Sequence, residues 1–243
     1  MRNWIRAAAF AFSALASLPA TAAVSYDVGL SGPGGTFFGT GNPNTHWTVN
    51  TISGVELGLQ ATQPFIGPIT PVGDVYTAPL GLSPGHAPRA AWSFSFSFDG
   101  TGAGLTVGDL SELNLSVYDV RHAQTHDLNV LLIPDNEGFT SATTTEHNPV
   151  IATDNAVQNN TNFGFPAVAA VFAPLFDPNE DNSFIFTLTA TCGTEACGGD
   201  GTVIGSLSMR VDAGQGIPEP ASMAVLGVGL AGLTWGRRQI GRR

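Results

Sequence analysis

The stretch Trp92-Ser93-Phe94-Ser95-Phe96-Ser97-Phe98-Asp99-Gly100 alternates aromatic and small polar residues with a period of two. Only an extended strand sends every second side chain to the same side, whereas a helix would scatter these rings around its axis. The run therefore predicts a strand with one aromatic and one serine face, ended by the turn dipeptide Asp99-Gly100. Its aromatic face either packs into a core or lies open as a stacking platform for sugar rings. Trp92 heads that face.

The rest of the chain agrees with an extended architecture. Thirty glycines and 16 prolines in 243 residues leave few windows in which a helix runs uninterrupted. Short alternating runs predict strands over residues 24–30, 47–52, 55–60, 113–117, 127–133, 163–172, 184–190 and 203–211. On the last two, Phe184, Phe186, Leu188 and Ala190 share one face, as do Val203, Leu207, Met209 and Val211. Between Pro64 and Pro88 the prolines exclude a central strand, leaving a surface excursion with a short edge over 74–77. Residues 140–162 are polar and poorly periodic, which predicts a long loop. Eight to ten strands in this length predict an all-β fold, an antiparallel β-sandwich of jelly-roll type.

Both ends depart from this pattern. Residues 1–23 carry Arg2 and Arg6, an apolar stretch from Ala7 to Leu18 and the small residues Ala20-Thr21-Ala22, the layout of a secretory signal peptide. At the other end Pro218-Glu219-Pro220 precedes an uncharged run from Ala221 to Trp235, and Arg237, Arg238, Arg242 and Arg243 follow. About 16 helical residues span roughly 24 Å against a hydrocarbon core of ~30 Å, so the expected C-terminal apolar helix is a short membrane span. The positive-inside rule places its arginines in the cytoplasm and the preceding chain outside. The two prolines keep the segment beside the membrane extended and open to a processing enzyme.

This order of Pro-Glu-Pro, apolar helix and arginines resembles the PEP-CTERM sorting signal of Gram-negative bacteria. The resemblance covers about the last tenth of the chain. Isoleucine at 217 replaces the frequent valine, and Gln239-Ile240-Gly241 interrupts the arginines. It implies processing by an exosortase, a membrane cysteine transpeptidase, with Pro218, Glu219, Pro220, Arg237 and Arg238 as the signal. It also implies export through the inner membrane, a membrane-anchored stage, and release to the cell surface or beyond. The expected organisation is a signal peptide (1–23), a β-sandwich ectodomain (24–216) and a sorting tail (217–243).

Charge bounds the partners of that ectodomain. Six of the nine basic residues, all arginine, lie in the two signals, so Arg89, Arg121 and Arg210 face eighteen acids and the body carries a formal charge of −15. Such a surface repels phosphate backbones and disfavours nucleic acid. Cys192 and Cys197, the two cysteines of the chain, fall close together between the last two expected strands, which in an exported protein predicts a disulfide pinning that loop. A metal pair is the rival, and zinc would need further ligands that are not nearby.

Three patterns bear on chemistry. Gly81-Leu82-Ser83-Pro84-Gly85 matches the G-x-S-x-G nucleophile elbow in letters, yet its prolines deny it the strand before and helix after that an elbow requires. His122 and His126 have the spacing of two zinc ligands on one helix face, but they fall in a connection between strands, where solvated loop histidines are expected. Asp177, Asn179 and Asp181 place oxygens at alternate positions of a turn, as calcium loops do. The later glycine and glutamate of an EF-hand are missing, so a partial Ca²⁺ site stands against an acidic β-turn, and no other cofactor is expected.

Three functions follow. The first is a non-enzymatic exported surface or extracellular-matrix protein lodged among exopolysaccharide. The second is a carbohydrate-binding module using Trp47, Trp92 or the 64–88 excursion, and the third a secreted hydrolase.

Overall fold

The computed structural model describes residues 23–38, 42–140, 143–145, 151–172 and 176–214, with the backbone alone for 143–145. The signal peptide up to residue 22 and the sorting tail lie outside the described residues, as does the expected boundary at 216. Among the described residues no helix is long and apolar enough to cross a membrane.

Two sheets face each other. The larger holds β1 (Val24–Val28), β2 (Trp47–Ile52), β3 (Val55–Gln63), β4 (Gly67–Pro68), β6 (Ser93–Asp99), β9 (Glu137–Thr140), β10 (Thr143–Thr145) and β11 (Ala156–Thr161). The smaller holds β5 (Val75–Ala78), β7 (Leu110–Asp119), β8 (Gln124–Asn129), β12 (Asn182–Cys192) and β13 (Val203–Ala213). The larger sheet runs β1-β2-β3-β6-β11-β9-β10 with β4 against β3, and the smaller runs β5-β13-β12-β7-β8. All pairs are antiparallel except β5 with β13. Between β2 and β3, Ser53 and Gly54 both take positive φ, the two-residue hairpin turn whose twist matches its strands.

Strand β6 occupies the middle of the larger sheet, between β3 and β11. Its rings point at the smaller sheet and fill the core: Trp92 and Phe94 meet Phe184 and Phe186 of β12, with Phe163 and Phe176 closing the cluster. Facing strands of opposite sheets thus interdigitate apolar side chains, the packing that an alternating pattern permits. Polar contacts cross the same interface. The Tyr76 hydroxyl of β5 bonds Thr48 of β2 and donates to the His46 carbonyl, and Asn50 Nδ2 donates to the Ser206 carbonyl of β13. Burial pushes the Tyr76 phenol well above its ordinary pKa, so it stays a neutral donor.

The structure corrects four sequence expectations. Residues 140–162 are no continuous loop: Ala156–Thr161 forms β11, a strand inside the sheet. The segment 163–172 contains the helix α1 (Pro166–Phe172) instead of a strand; Pro166 opens it and Val168 and Phe172, four apart, supply its buried side. The strand expected over 127–133 begins earlier and ends at Asn129, whose side chain accepts from Leu131 N and caps a short 3-10 turn. Val203 is exposed, because a bulge opposite Ala190 and Thr191 shifts it off the face shared by Leu207, Met209 and Val211.

Candidate functional site

The sequence-derived candidates separate into core residues, structural clusters and surface turns. Trp47 and Trp92 are core residues, which removes both as sugar platforms. Trp47 packs with Leu30, Phe38 and Val49 while its indole N–H donates to Thr36 Oγ1 at 3.0 Å. Trp92 presents its edge to Phe163 at 5.3 Å and to Phe186 at 6.1 Å. The rings of Phe94, Phe96 and Phe98 are likewise buried.

His122 is the exposed loop histidine expected, whereas His126 lies within β8 and is half-buried. His122 sits in the turn after β7 and binds Asp119 twice, through its backbone N–H and through Nδ1, each at 2.9 Å. Asn182 Nδ2 adds a third bond to the buried Asp119 carboxylate. Burial pushes Asp119 up, but these three donors together outweigh it and hold the carboxyl below its usual range. His122 Nε2 stands 3.6 Å from Glu180, which also takes Arg121 Nε at 2.8 Å. The imidazole thus stands between two carboxylates. The group docks the β7–β8 turn onto residues 177–182. His126 belongs to β8, with its ring 6.0 Å from Phe172. It lines a cavity of about 10 Å³ beneath Phe163, Phe172, Phe176 and Phe184, near the lower limit for one water molecule.

In the acidic turn, Asp177 Oδ1 accepts from Asn179 N at 2.8 Å, closing an Asx turn. The Asp181 carbonyl accepts from Arg121 Nη1. Among the described residues no group of three or more His, Cys, Asp or Glu side chains is placed to hold a metal ion.

Ser83 of the G-x-S-x-G stretch is buried in a reverse turn, not perched between strand and helix. His86 N–H donates to the Ser83 carbonyl at 3.0 Å, with Pro84 and then Gly85 at φ +75 between them. Proline second and a positive φ third define a type II turn. Cys192 and Cys197 form the expected disulfide, which closes the loop between β12 and β13.

Sequence reasoning missed a buried polar layer on the outward face of the larger sheet. Glu56, Gln60 and Thr62 of β3, Ser93, Ser95 and Ser97 of β6, and Gln158 of β11 are all buried. Residues 29–38 lie over one end of this layer. Glu56 accepts the N–H groups of Ser31 and Gly32 and the Ser31 hydroxyl, while Gln158 accepts from Phe37 N and donates to the Gly35 carbonyl. Farther along, Asn160 donates to Thr62 and Ser95. The serines of the alternating run thus face hydrogen-bonding partners, which is why their burial is tolerated.

Residues 216–239 match the family model of the PEP-CTERM protein-sorting motif. No curated protein and no solved structure matches the chain. The motif marks an exported protein that an exosortase processes during membrane-associated sorting.

Proposed function

We propose that this chain is a non-catalytic surface or extracellular-matrix protein, sorted by its tail and then released or anchored among exopolysaccharide. The observation that carries this reading is the sorting motif at 216–239, which begins just after β13 ends at Ala213. Removing such a tail leaves the last strand intact. The strongly acidic body, at −15, stays soluble outside the cell and disfavours nucleic acid as a partner. The jelly-roll-type sandwich is its working part, and the uncharged run from Ala221 to Trp235 serves as a transient membrane hold for the transpeptidase.

Mass spectrometry of the mature protein from its native host tests the reading. The expected C-terminus lies upstream of Ala221, with Arg237 and Arg238 gone. Recovery of a surface-exposed protein still ending in Arg243 would overturn it. Replacing Pro218 and Glu219 by alanine is expected to leave the unprocessed form in the inner membrane.

A further inference from the structure

Two proline turns in the 64–88 excursion obey different residue rules. In the turn from Ser83 to His86 the third position, which requires positive φ, holds glycine. The turn from Gln63 to Ile66 is closed in the same way by Ile66 N–H donating to the Gln63 carbonyl at 3.1 Å, with Pro64 in second place. Proline cannot take positive φ, which excludes the primed turns and leaves type II. Its third residue is Phe65, at φ +66. A bulky aromatic side chain is sterically disfavoured in that region of backbone space, where glycine or asparagine is the usual occupant.

Burial does not compensate for this misfit. Phe65 is 79% exposed and Ile66 beside it 80%. The Phe65 ring lies against His86, centroids 4.8 Å apart and planes 30° from parallel. The residue delivering that second ring closes the other proline turn, so the stretch resembling a nucleophile elbow serves to place His86. The two turns together build a stacked ring pair at the surface from segments twenty residues apart in sequence. Backbone strain kept where it adds no packing is a mark of function.

We propose that Phe65, Ile66 and His86 form a binding site for a sugar ring of a neutral polysaccharide, an inference that rests on the exopolysaccharide association proposed above. A pyranose offers an apolar C–H face and a rim of hydroxyls. Phe65 and Ile66 supply an apolar surface for the face, and the His86 nitrogens supply a donor or acceptor at the rim. The charge of −15 on the body disfavours anionic polymers and anionic lipid surfaces. A protein partner would need far more contact area than three side chains provide.

The test compares the exported protein from its native host with Phe65→Gly, Phe65→Ala and His86→Ala variants. Each is passed over immobilised neutral exopolysaccharide from the same host and over a dextran matrix, and its Tm is measured. Wild type is expected to be retained on at least one matrix. Phe65→Gly is expected to weaken retention about tenfold, the scale of a lost ring contact, while raising Tm by a few degrees because glycine suits the turn. Phe65→Ala should weaken retention similarly without that gain, and His86→Ala should weaken it less. Undiminished retention of Phe65→Gly overturns the site and leaves the exopolysaccharide reading standing. A lower Tm for Phe65→Gly shows the ring to be structural and also overturns the site. Free passage of wild type through both matrices overturns the glycan association itself.

Discussion

Replacing Asn162 with leucine isolates the value of a buried amide that no sequence pattern announces. Asn162 follows β11 directly and is buried. Its Oδ1 accepts from Ala90 N at 2.9 Å and Gly164 N at 3.0 Å, while Nδ2 donates to the carbonyls of Ala90 at 3.1 Å and Trp92 at 2.7 Å and to Ser93 Oγ at 3.0 Å. One side chain thereby ties the end of the excursion to the start of the aromatic strand. Leucine fills a similar volume but cannot pair with the buried backbone at Ala90. Each buried group left unsatisfied costs about 1–3 kcal/mol, so the N–H and C=O of Ala90 alone set an expected loss of about 2–6 kcal/mol. Against a total stability on the order of 5–15 kcal/mol, that is a large fraction. Urea denaturation of the exported protein measures it as a lower midpoint at unchanged slope. Asn162→Ala should cost less, since the space it opens admits water to the same groups. A loss below about 1 kcal/mol for the leucine variant, with the slope unchanged, would refute the assignment of these bonds.

Other outcomes follow from the same structure. Reducing the Cys192–Cys197 disulfide, or replacing both cysteines with serine, should lower stability by less than the ~3 kcal/mol expected for a 15-residue ring, since only five positions separate them; a melting scan with and without reductant measures this. Asp119 is held below its ordinary pKa, so its contribution is present above the unfolded-state value of about 3.9 and is lost as pH falls through the lower folded value. Acid titration of stability should therefore show a shallower acid-side decline in Asp119→Asn than in wild type, with equal slopes counting against the argument. Millimolar calcium is expected to leave Tm unchanged, because the turn holding Asp177, Asn179 and Asp181 is already ordered by its own hydrogen bonds and by Arg121. A calcium-dependent rise would assign that turn a bound ion.

Strands with an apolar face and a solvent face could be read directly. β7, β12 and β13 alternate because one side meets the core and the other meets water. β11 could not be read that way. Gln158 and Asn159 are buried by hydrogen bonding rather than by apolarity, so a strand inside the sheet carries the composition of a loop. The α1 segment misled in the opposite sense, since Phe163 packs in the aromatic core and its apolar neighbours resemble a strand until Pro166 starts a helical turn. The candidate binding site was half legible. The prolines of 64–88 mark a surface excursion, but the tryptophans chosen as platforms are core, and the stacking of Phe65 on His86 depends on two separate turns meeting in space.

By itself, the sequence determined the export address, the all-β class, the disulfide partners and the aromatic face of β6. Each follows from chemistry local to a few neighbouring residues: period-two alternation, cysteine spacing, and the ordered charges and apolar lengths of the termini. Tertiary structure alone decided that the serine face of β6 is buried as well, that Trp47 and Trp92 are unavailable to a ligand, and that an aromatic ring projects from a turn suited to glycine. Those facts depend on which strands become neighbours and what lies over them. Strand pairing and its covering join residues far apart in the chain, and no local pattern encodes that choice.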